Sequence, residues 1–295
     1  MCRASKKIGM PYHFIDDDIF KEHRVEHQLR ILNVFTKDYD GEKAVPSIVG
    51  ESTEYVKGKF LLDKKFIVLC PTNSHFKKEN HRGYRAWPIG NWKGLINKII
   101  AETNLNILLV GSNDEQKYFK HFYPLNGRIT DLSGKTTIPE LITIMKLSSC
   151  VVATDSGSVH VAGASAKNII SIHGPTNHYQ SAPYKTPANN VKIASLDLPC
   201  SPCYDTPQIK NCPKNICMYD LTAEKIFPRA VFKFLMISVS ECGGVNINHS
   251  FGPNQSPVTT PFSTTVLASR GSLNPNTSSV ATRNFGSVDS PRRLM

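Results

Sequence analysis

The 295-residue sequence lacks any apolar run that approaches the roughly 20 residues needed to cross a bilayer as a helix. Its first residues, MCRASKKIGMPYHF, are basic but contain no apolar core of the kind found in a signal peptide. Its eight cysteines are spread too widely for a small secreted disulfide scaffold. These absences predict a cytosolic protein without a transmembrane segment.

Acidic residues are also under-represented, with 24 Asp and Glu against 35 Lys and Arg and a net charge of +11. Such an imbalance predicts an anionic partner, such as nucleotide phosphates, acidic lipid headgroups or nucleic acid. No basic run is dense enough to single out nucleic acid, and pairs such as Lys64-Lys65 are typical of a solvated surface. The 40% hydrophobic content suffices for one large or two ordinary domains.

A complete P-loop is absent as well. The stretch Asp131 to Thr137 contains Gly-Lys-Thr, but Ile129 stands where the first glycine of G-x-x-x-x-G-K-[ST] is required. This departure excludes a P-loop ATPase.

From Phe66 onward, short apolar runs alternate with amphipathic segments. This alternation predicts βαβ units and an α/β fold with a doubly wound, largely parallel sheet. Strands are predicted at 66–70, 106–110, 128–132, 150–153, 168–172 and 191–193, and helices at 90–101, 114–122, 141–147 (with Thr137 as N-cap), from Ser158, and at 222–234.

Composition divides the chain into three predicted parts. Residues 1–60 do not make a domain by themselves and contain one amphipathic helix, at 23–35, followed by a linker at 41–54. Residues 61–238 form the predicted Rossmann-like domain. Residues 239–295 are rich in Ser, Thr, Asn, Pro and Gly, which is typical of a disordered tail.

Polar residues follow the first two predicted strands. Because strand-to-helix turns of a parallel sheet open on one edge, we expect these groups to gather there. Thr72, Ser74 and Arg85 follow the first strand, and hydroxyls with an arginine suit phosphate. Glu115 follows the second strand, where a carboxylate can accept hydrogen bonds from ribose hydroxyls. The alternatives are an ordinary surface loop in the first case and helix capping, for example by Asp114, in the second.

The stretch Cys150 to Ala164 combines a buried strand, a polar turn and the start of a small-residue helix. Helix N-termini offer free N–H groups to anions, so Asp155, Ser156 and Gly157 predict a phosphate or sugar site. His160 falls on the first turn of the same helix. The alternative is that Asp155 or Ser156 only caps the helix, Gly157 only makes the turn, and His160 is a structural hydrogen-bond partner.

Four cysteines cluster late in the chain. Their number matches a zinc or iron–sulfur ligand set, and the first pair has common zinc spacing. Reduced thiols or a disulfide are the alternatives to a structural zinc site. The four are Cys200, Cys203, Cys212 and Cys217.

Taken together, the region from about Phe66 to Leu235 resembles the C-terminal nucleotide-binding half of glycosyltransferase family 9, the ADP-heptose:lipopolysaccharide heptosyltransferases. The ordered motifs that carry the resemblance are Arg85-Ala86-Trp87-Pro88, Gly111 to Glu115, Leu132 to Leu141, Asp155-Ser156-Gly157-x-x-His160 and Gly174-Pro175-Thr176.

The resemblance implies a GT-B fold, in which two Rossmann-like domains enclose the active site, and an ADP-sugar donor. It implies that Thr72 or Ser74 contacts the diphosphate, that Arg85 neutralises phosphate or binds ribose, and that Glu115 takes the ribose hydroxyls. Adenine would lie against backbone near Thr136.

For the remaining motif, the resemblance implies that Asp155 holds the sugar hydroxyls, while Ser156, Gly157 and His160 cradle the phosphates. Transfer would require no cofactor. The acceptor would be the lipopolysaccharide core, which places the protein in the cytoplasm, peripheral to the inner membrane, with no nucleic-acid partner.

The beginning of the chain departs from the family pattern. The family's acceptor-binding N-terminal domain carries a general base in a Gly-x-Gly-Asp type of context, which Asp16, Asp17 and Asp18 do not match. Residues 1–60 therefore read as a truncated remnant of that domain, with the catalytic base unidentified. Two alternatives stay open: a nucleotide-sugar-binding remnant without turnover, and a zinc-stapled nucleic-acid binder, which the lack of aromatic-interleaved basic patches disfavours.

Overall fold

A computed structural model of the protein describes residues 21–33, 45–73, 83–204 and 206–228. Within these ranges, six strands form one sheet in the order β3-β2-β1-β4-β5-β6, and each neighbouring pair is parallel. The strands are β1 (Phe66–Cys70), β2 (Asn106–Leu109), β3 (Ile129–Asp131), β4 (Cys150–Thr154), β5 (Asn168–Ile172) and β6 (Asn190–Ala194).

Helices connect the strands and cover both faces of the sheet. Short 3₁₀ segments lie at Asn113–Glu115, Lys120–Phe122 and Pro207–Asn211. The α-helices are α1 (Arg24–Asn33), α2 (Thr53–Phe60), α3 (Ile89–Glu102), α4 (Gln116–Phe119), α5 (Ile138–Leu147), α6 (Gly157–Gly163), α7 (His178–Ser181), α8 (Ile216–Tyr219) and α9 (Ala223–Ile226).

The central strands are buried along their whole length, which explains their continuous apolar sequences. Successive side chains of a strand point to opposite faces, and the core divides accordingly. In β1, Ile67 and Leu69 pack into one cluster with Trp92 and other residues of α3. Val68 packs into the other cluster, on the face covered by α2, α5 and α6, together with Val56.

The start of α5 follows the predicted capping chemistry. Thr137 is its N-cap, and the Thr137 and Glu140 side chains make a reciprocal capping box. The buried Glu140 carboxylate also accepts a 2.6 Å hydrogen bond from Lys59 Nζ, and this bond is the main reason that the pKa of Glu140 is lowered. The ion pair fastens α2 to α5.

The strand order confirms the predicted doubly wound parallel sheet. From β1 the chain moves outward through β2 and β3, and it then returns to place β4 on the other side of β1. This reversal of the strand order leaves a crevice beyond the carboxyl ends of β1 and β4. Ligands of open α/β sheets bind in such a crevice. The fold therefore positions the residues that follow these two strands side by side.

Three elements differ from the sequence predictions. Helix α2 begins inside the predicted linker at 41–54, and Val56 is its one buried residue, too few to show a periodic apolar face. The predicted helix 114–122 is split into α4 and two 3₁₀ turns. The closing helix predicted at 222–234 is shorter, because α9 ends at Ile226, with Phe227 as its C-cap and Pro228 next in the chain. Residues 229–295, including the predicted tail, lie outside the described ranges, as do Asp16, Asp17 and Asp18.

Trp87 links the start of α3 to the chain just before α9. The Trp87 side chain is fully buried, its Nε1 donates a 2.7 Å hydrogen bond to Leu221 O, and its ring packs edge-on against Trp92 at 4.8 Å. Trp92 is equally buried, but its Nε1 has no hydrogen-bond partner in the part of the chain that the structure describes.

We therefore expect Trp87→Phe to lower the free energy of unfolding by about 1 kcal/mol more than Trp92→Phe. Both changes remove similar volume, but only the first removes a buried hydrogen bond. Urea unfolding followed by circular dichroism measures the difference, with Trp92→Phe as the matched control. Equal losses for the two variants would contradict the role assigned to the Leu221 contact.

Candidate functional site

Asp155 lies at the carboxyl end of β4 and is the central group of the site. Its side chain is buried, and its backbone N–H donates to Ile172 O at 3.1 Å, which ties the turn after β4 to β5. Asp155 Oδ2 lies 3.5 Å from Arg85 Nη1. Arg85 comes from the loop before α3, so the ion pair joins the chain after β1 to the chain after β4 across the crevice.

Several polar atoms around this ion pair are buried without a hydrogen-bond partner among the described residues. They are Thr154 Oγ1, Ser156 Oγ and Arg85 Nε. A buried polar group left unsatisfied costs about 1–3 kcal/mol. Two of these atoms belong to the residues on either side of Asp155 and the third to its ion-pair partner, so together they indicate a place prepared for a ligand. Ser156 occupies the N-cap position of α6, yet its hydroxyl makes no cap hydrogen bond, so capping does not account for it.

A cavity of about 470 Å³ opens beside the ion pair. Three of the predicted site residues, Arg85, Asp155 and His160, line it together. Its remaining walls come from α1, from the turn and helix after β5 and from the segment after the first two clustered cysteines. The other lining residues are Arg24, Pro175, Thr176, Asn177, Gln180, Ser181, Pro202, Tyr204 and Thr206.

Neighbouring predicted residues lie near the cavity without lining it. Thr72 is buried at the end of β1, and Gly157 opens α6, where an added Cβ would meet nothing within 4 Å. Gly157 therefore leaves open space in front of the helix. Ser74, predicted to contact phosphate, lies outside the described residues.

Glu115 and Thr136 lie farther along the same edge, after β2 and β3. Glu115 Oε2 accepts a 2.7 Å hydrogen bond from Ser112 N in a capping box, a role that the Ser-x-x-Glu spacing signals and that the sequence interpretation missed. Thr136 is half-buried, and the structure does not bring it to the cavity around Asp155.

Several cavity residues, among them Arg24 and Tyr204, were not predicted because only the tertiary fold brings them to the site. Arg24 begins α1, which is held against the chain after α7 by a 2.8 Å hydrogen bond from His23 to Ala182 O and by a Tyr184–Glu26 hydrogen bond. Tyr204 follows the first cysteine pair. Arg24 lies in the predicted helix at 23–35 but not on its apolar face, and Tyr204 belongs to no motif in the sequence.

Two histidines near Asp155 have lowered pKa values. His173 is fully buried, with Ser171 Oγ 2.8 Å from its Nε2 and Thr176 Oγ1 3.2 Å from its Nδ1. Burial lowers the pKa of His173 to about 4, with Asp155 acting in the opposite direction. His160 lies at the cavity rim, and loss of hydration within the surrounding protein lowers its pKa as well.

The four clustered cysteines are free thiols. Cys217 Sγ donates to Asn215 Oδ1 at 3.3 Å, and Asn215 N donates to Cys212 Sγ at 3.3 Å. Among the described residues, no group of three or more His, Cys, Asp or Glu side chains is arranged to hold a metal ion. The structural zinc predicted at Cys200, Cys203, Cys212 and Cys217 is therefore not found in this geometry.

None of the described helices combines the length and the apolar composition needed to cross a membrane.

The neutral state of His173 makes stability depend on pH. In the unfolded chain its pKa returns to about 6.5, so between pH 6.5 and pH 4 the unfolded state binds more protons and stability falls with falling pH. We expect the destabilisation caused by His173→Gln to shrink by about 2 kcal/mol between pH 7.5 and pH 5. Urea unfolding at the two pH values measures this change.

The exposed Asn104 offers a control for that measurement, because Asn104→Gln adds and removes no titratable group and is expected to change stability by the same amount at both pH values. A His173→Gln penalty that is equal at pH 7.5 and pH 5 would contradict a neutral, buried His173.

Solved structures of low sequence identity share the fold. The glycosyl transferase family 9 protein of Veillonella parvula superposes with a TM-score of 0.57 at 15% identity, covering 73% of this chain and 60% of that protein. The ADP-heptose lps heptosyltransferase II of E. coli gives a TM-score of 0.51 at 17% identity, covering 66% and 55%.

Curated sequences match a shorter region. Lipooligosaccharide heptosyltransferase 2 of Campylobacter jejuni serotype O:2 is 31% identical over 132 residues, which is 42% of this chain and 40% of that protein. The protein of the same name from Haemophilus influenzae is 25% identical over 118 residues, which is 39% of this chain and 34% of the relative. The matched region thus spans well under half the length of these relatives.

The model of glycosyltransferase family 9 (heptosyltransferase) matches residues 10–213, more than half of the chain. The match confirms the resemblance drawn from the motifs. It covers β1 to β6 together with Arg85, Asp155, His160 and Tyr204. The chain therefore belongs to glycosyltransferase family 9, the heptosyltransferase family.

Proposed function

We propose that the cavity beside Asp155 is the donor site of a glycosyltransferase that moves heptose from ADP-heptose to the lipopolysaccharide core with inversion. Family membership supports the reaction class. The observation that supports this site is the Arg85–Asp155 pair at the strand-order reversal. Arg85 Nε is buried without a hydrogen-bond partner among the described residues, as are the hydroxyls of Thr154 and Ser156 on either side of Asp155.

The order of residues along the sheet edge fits an extended nucleotide sugar. Adjacent strands lie about 4.8 Å apart, so β4 and β3, three spacings apart, are separated by about 14 Å. In this proposal the sugar lies at Asp155 after β4, the diphosphate lies between Arg85 and Thr72 after β1, and the nucleoside extends past Glu115 after β2 to Thr136 after β3.

Glu115 can serve the ribose despite its capping role. A carboxylate has about four lone-pair sites, and the hydrogen bond from Ser112 N uses one of them. The capping box therefore orients the carboxylate and leaves its other lone pairs free to accept hydrogen bonds. An oriented acceptor at this position is what a ribose diol requires.

The charges of the site fit the leaving group. Transfer leaves negative charge on the departing ADP, and Arg85 is placed to stabilise it. Ser156 and Gly157, at the start of α6, would add hydroxyl and backbone N–H donors, and the neutral His160 at the rim can donate one further hydrogen bond. We propose that this set of donors stabilises the diphosphate without a further cofactor.

The acceptor hydroxyl also needs a general base. We propose the GT-B arrangement, in which the Rossmann-like domain at 61–238 faces an acceptor-binding domain that supplies this base, and in which α1 belongs to the acceptor side. The acceptor would then be presented at the cytoplasmic face of the inner membrane.

A second function, nucleotide-sugar binding without turnover, is favoured by one observation. Asp155 is the only carboxylate among the described residues that line the cavity, and Arg85 already neutralises it. With its one carboxylate paired to Arg85, the described part of the cavity offers no second carboxylate to serve as a base for the acceptor hydroxyl, and it is better equipped to bind a donor than to activate an acceptor.

Calorimetry with ADP and ADP-heptose separates the roles of the paired residues. We expect Asp155→Asn to weaken ADP-heptose binding by about 10- to 100-fold, because charge-assisted hydrogen bonds to the sugar hydroxyls are lost. Binding of ADP alone should stay the same or tighten, since Arg85 loses its competing carboxylate. Arg85→Gln should weaken both ligands.

Asp63→Asn is the control, because Asp63 is exposed before β1 at the opposite edge of the sheet. Failure of the wild-type chain to bind either ligand at millimolar concentration would disprove the donor site. Equal weakening of ADP and ADP-heptose by Asp155→Asn would disprove the assignment of Asp155 to the sugar.

Turnover distinguishes the two proposed functions. With ADP-heptose and a lipopolysaccharide core acceptor, the transferase hypothesis expects release of ADP that depends on the acceptor and falls at least tenfold in Asp155→Asn. Chromatographic measurement of ADP provides the readout. Donor binding by the wild-type chain without any ADP release would instead favour the binding function.

A further inference from the structure

Tyr204 places an aromatic face against the arginine of the donor site. The Arg85 guanidinium carbon lies 5.0 Å from the centroid of the Tyr204 ring, within the range of a cation–π contact. Both side chains line the cavity that contains Asp155. The cysteine-rich segment that bears Tyr204 has no part in the proposed transfer, so its place against Arg85 requires an explanation.

The backbone around Tyr204 is tied to the turn after β5. The N–H groups of Cys203 and Tyr204 both donate to Pro175 O, each at 2.9 Å. Thr206 Oγ1 donates to Cys203 O at 2.8 Å and closes the following turn. The aromatic ring is therefore presented from a segment that is anchored to the sheet.

The other contacts of Arg85 leave most of its N–H groups available as hydrogen-bond donors. Its Nη1 lies 3.5 Å from Asp155, well beyond the 2.7–2.9 Å of a strong charge-assisted hydrogen bond. Its Nε is buried and has no hydrogen-bond partner among the described residues. A cation–π contact uses the face of the guanidinium group and consumes none of its N–H donors.

We propose that Tyr204 is the positioning residue of Arg85, which it holds so that the guanidinium N–H groups face the diphosphate of a nucleoside diphosphate ligand. The proposal rests on the proposed donor site. Because the ring contact leaves the N–H donors of Arg85 available, Arg85 can exchange Asp155 for phosphate oxygens while it stays against the ring. The exchange frees the Asp155 carboxylate for the sugar as the phosphates arrive.

Calorimetric titration of ADP and of adenosine into the full chain tests this role. Tyr204→Leu is expected to weaken ADP binding by about 5- to 10-fold, while Tyr204→Phe, which keeps the π face, stays within about twofold of wild type. Adenosine, which lacks phosphates, should bind all three proteins alike. In an Arg85→Gln background, Tyr204→Leu should have no further effect on ADP.

Circular dichroism and urea unfolding establish that the variants are folded, and Tyr204→Met is the second variant, since its flexible side chain can still fill space beside Arg85 without an aromatic face. Unchanged ADP affinity in folded Tyr204→Leu and Tyr204→Met, or the same loss in the Arg85→Gln background, would overturn the positioning role alone. Absence of ADP binding by the wild-type chain would overturn the donor site and this role together.

Discussion

The pairing of β1 with β4 is the constraint on which the rest of the structure depends. These strands are far apart in sequence but adjacent in the sheet, with Ile67 opposite Cys150 and Cys70 opposite Ala153. Because each is buried on both faces, a shift in their register would displace both cores at once. The same register sets Arg85, from the loop after β1, against Asp155 after β4, so packing of the sheet determines the geometry of the site.

The fold was largely predictable because buried parallel strands carry a strong local signal. All six strands were predicted to within a few residues, since continuous apolar runs bounded by polar turns do not need long-range information. Helix α2 was missed because a single buried residue, Val56, leaves no periodicity to detect. The region 113–122 was predicted as one helix because apolar spacing does not distinguish a continuous helix from consecutive short turns.

In the candidate site, the predictable residues were those whose side-chain chemistry and neighbouring sequence pattern both indicated a ligand. Asp155 and Ser156 follow a strand directly, and Arg85 lies in a motif, so their position at the ligand edge followed from topology. Arg24 and Tyr204 reach the cavity through contacts with the chain after β5, which no pattern near them encodes. The cysteine spacing predicted a metal site, which is not shown among the described residues, and the same segment places an aromatic ring against Arg85.

The charge balance of the cavity follows from which of its groups titrate. Burial keeps His173 neutral, and the pKa of His160 is also lowered, so around neutral pH neither imidazole contributes a full positive charge. The positive potential therefore rests on the two lining arginines, Arg24 and Arg85, and arginine does not titrate in this range. One of the two charges is offset by Asp155 until an anion arrives. In the proposed donor site, a bound diphosphate would replace the one carboxylate beside Arg85 with two phosphates, and Asp155 would become available for the sugar only with the phosphates in place.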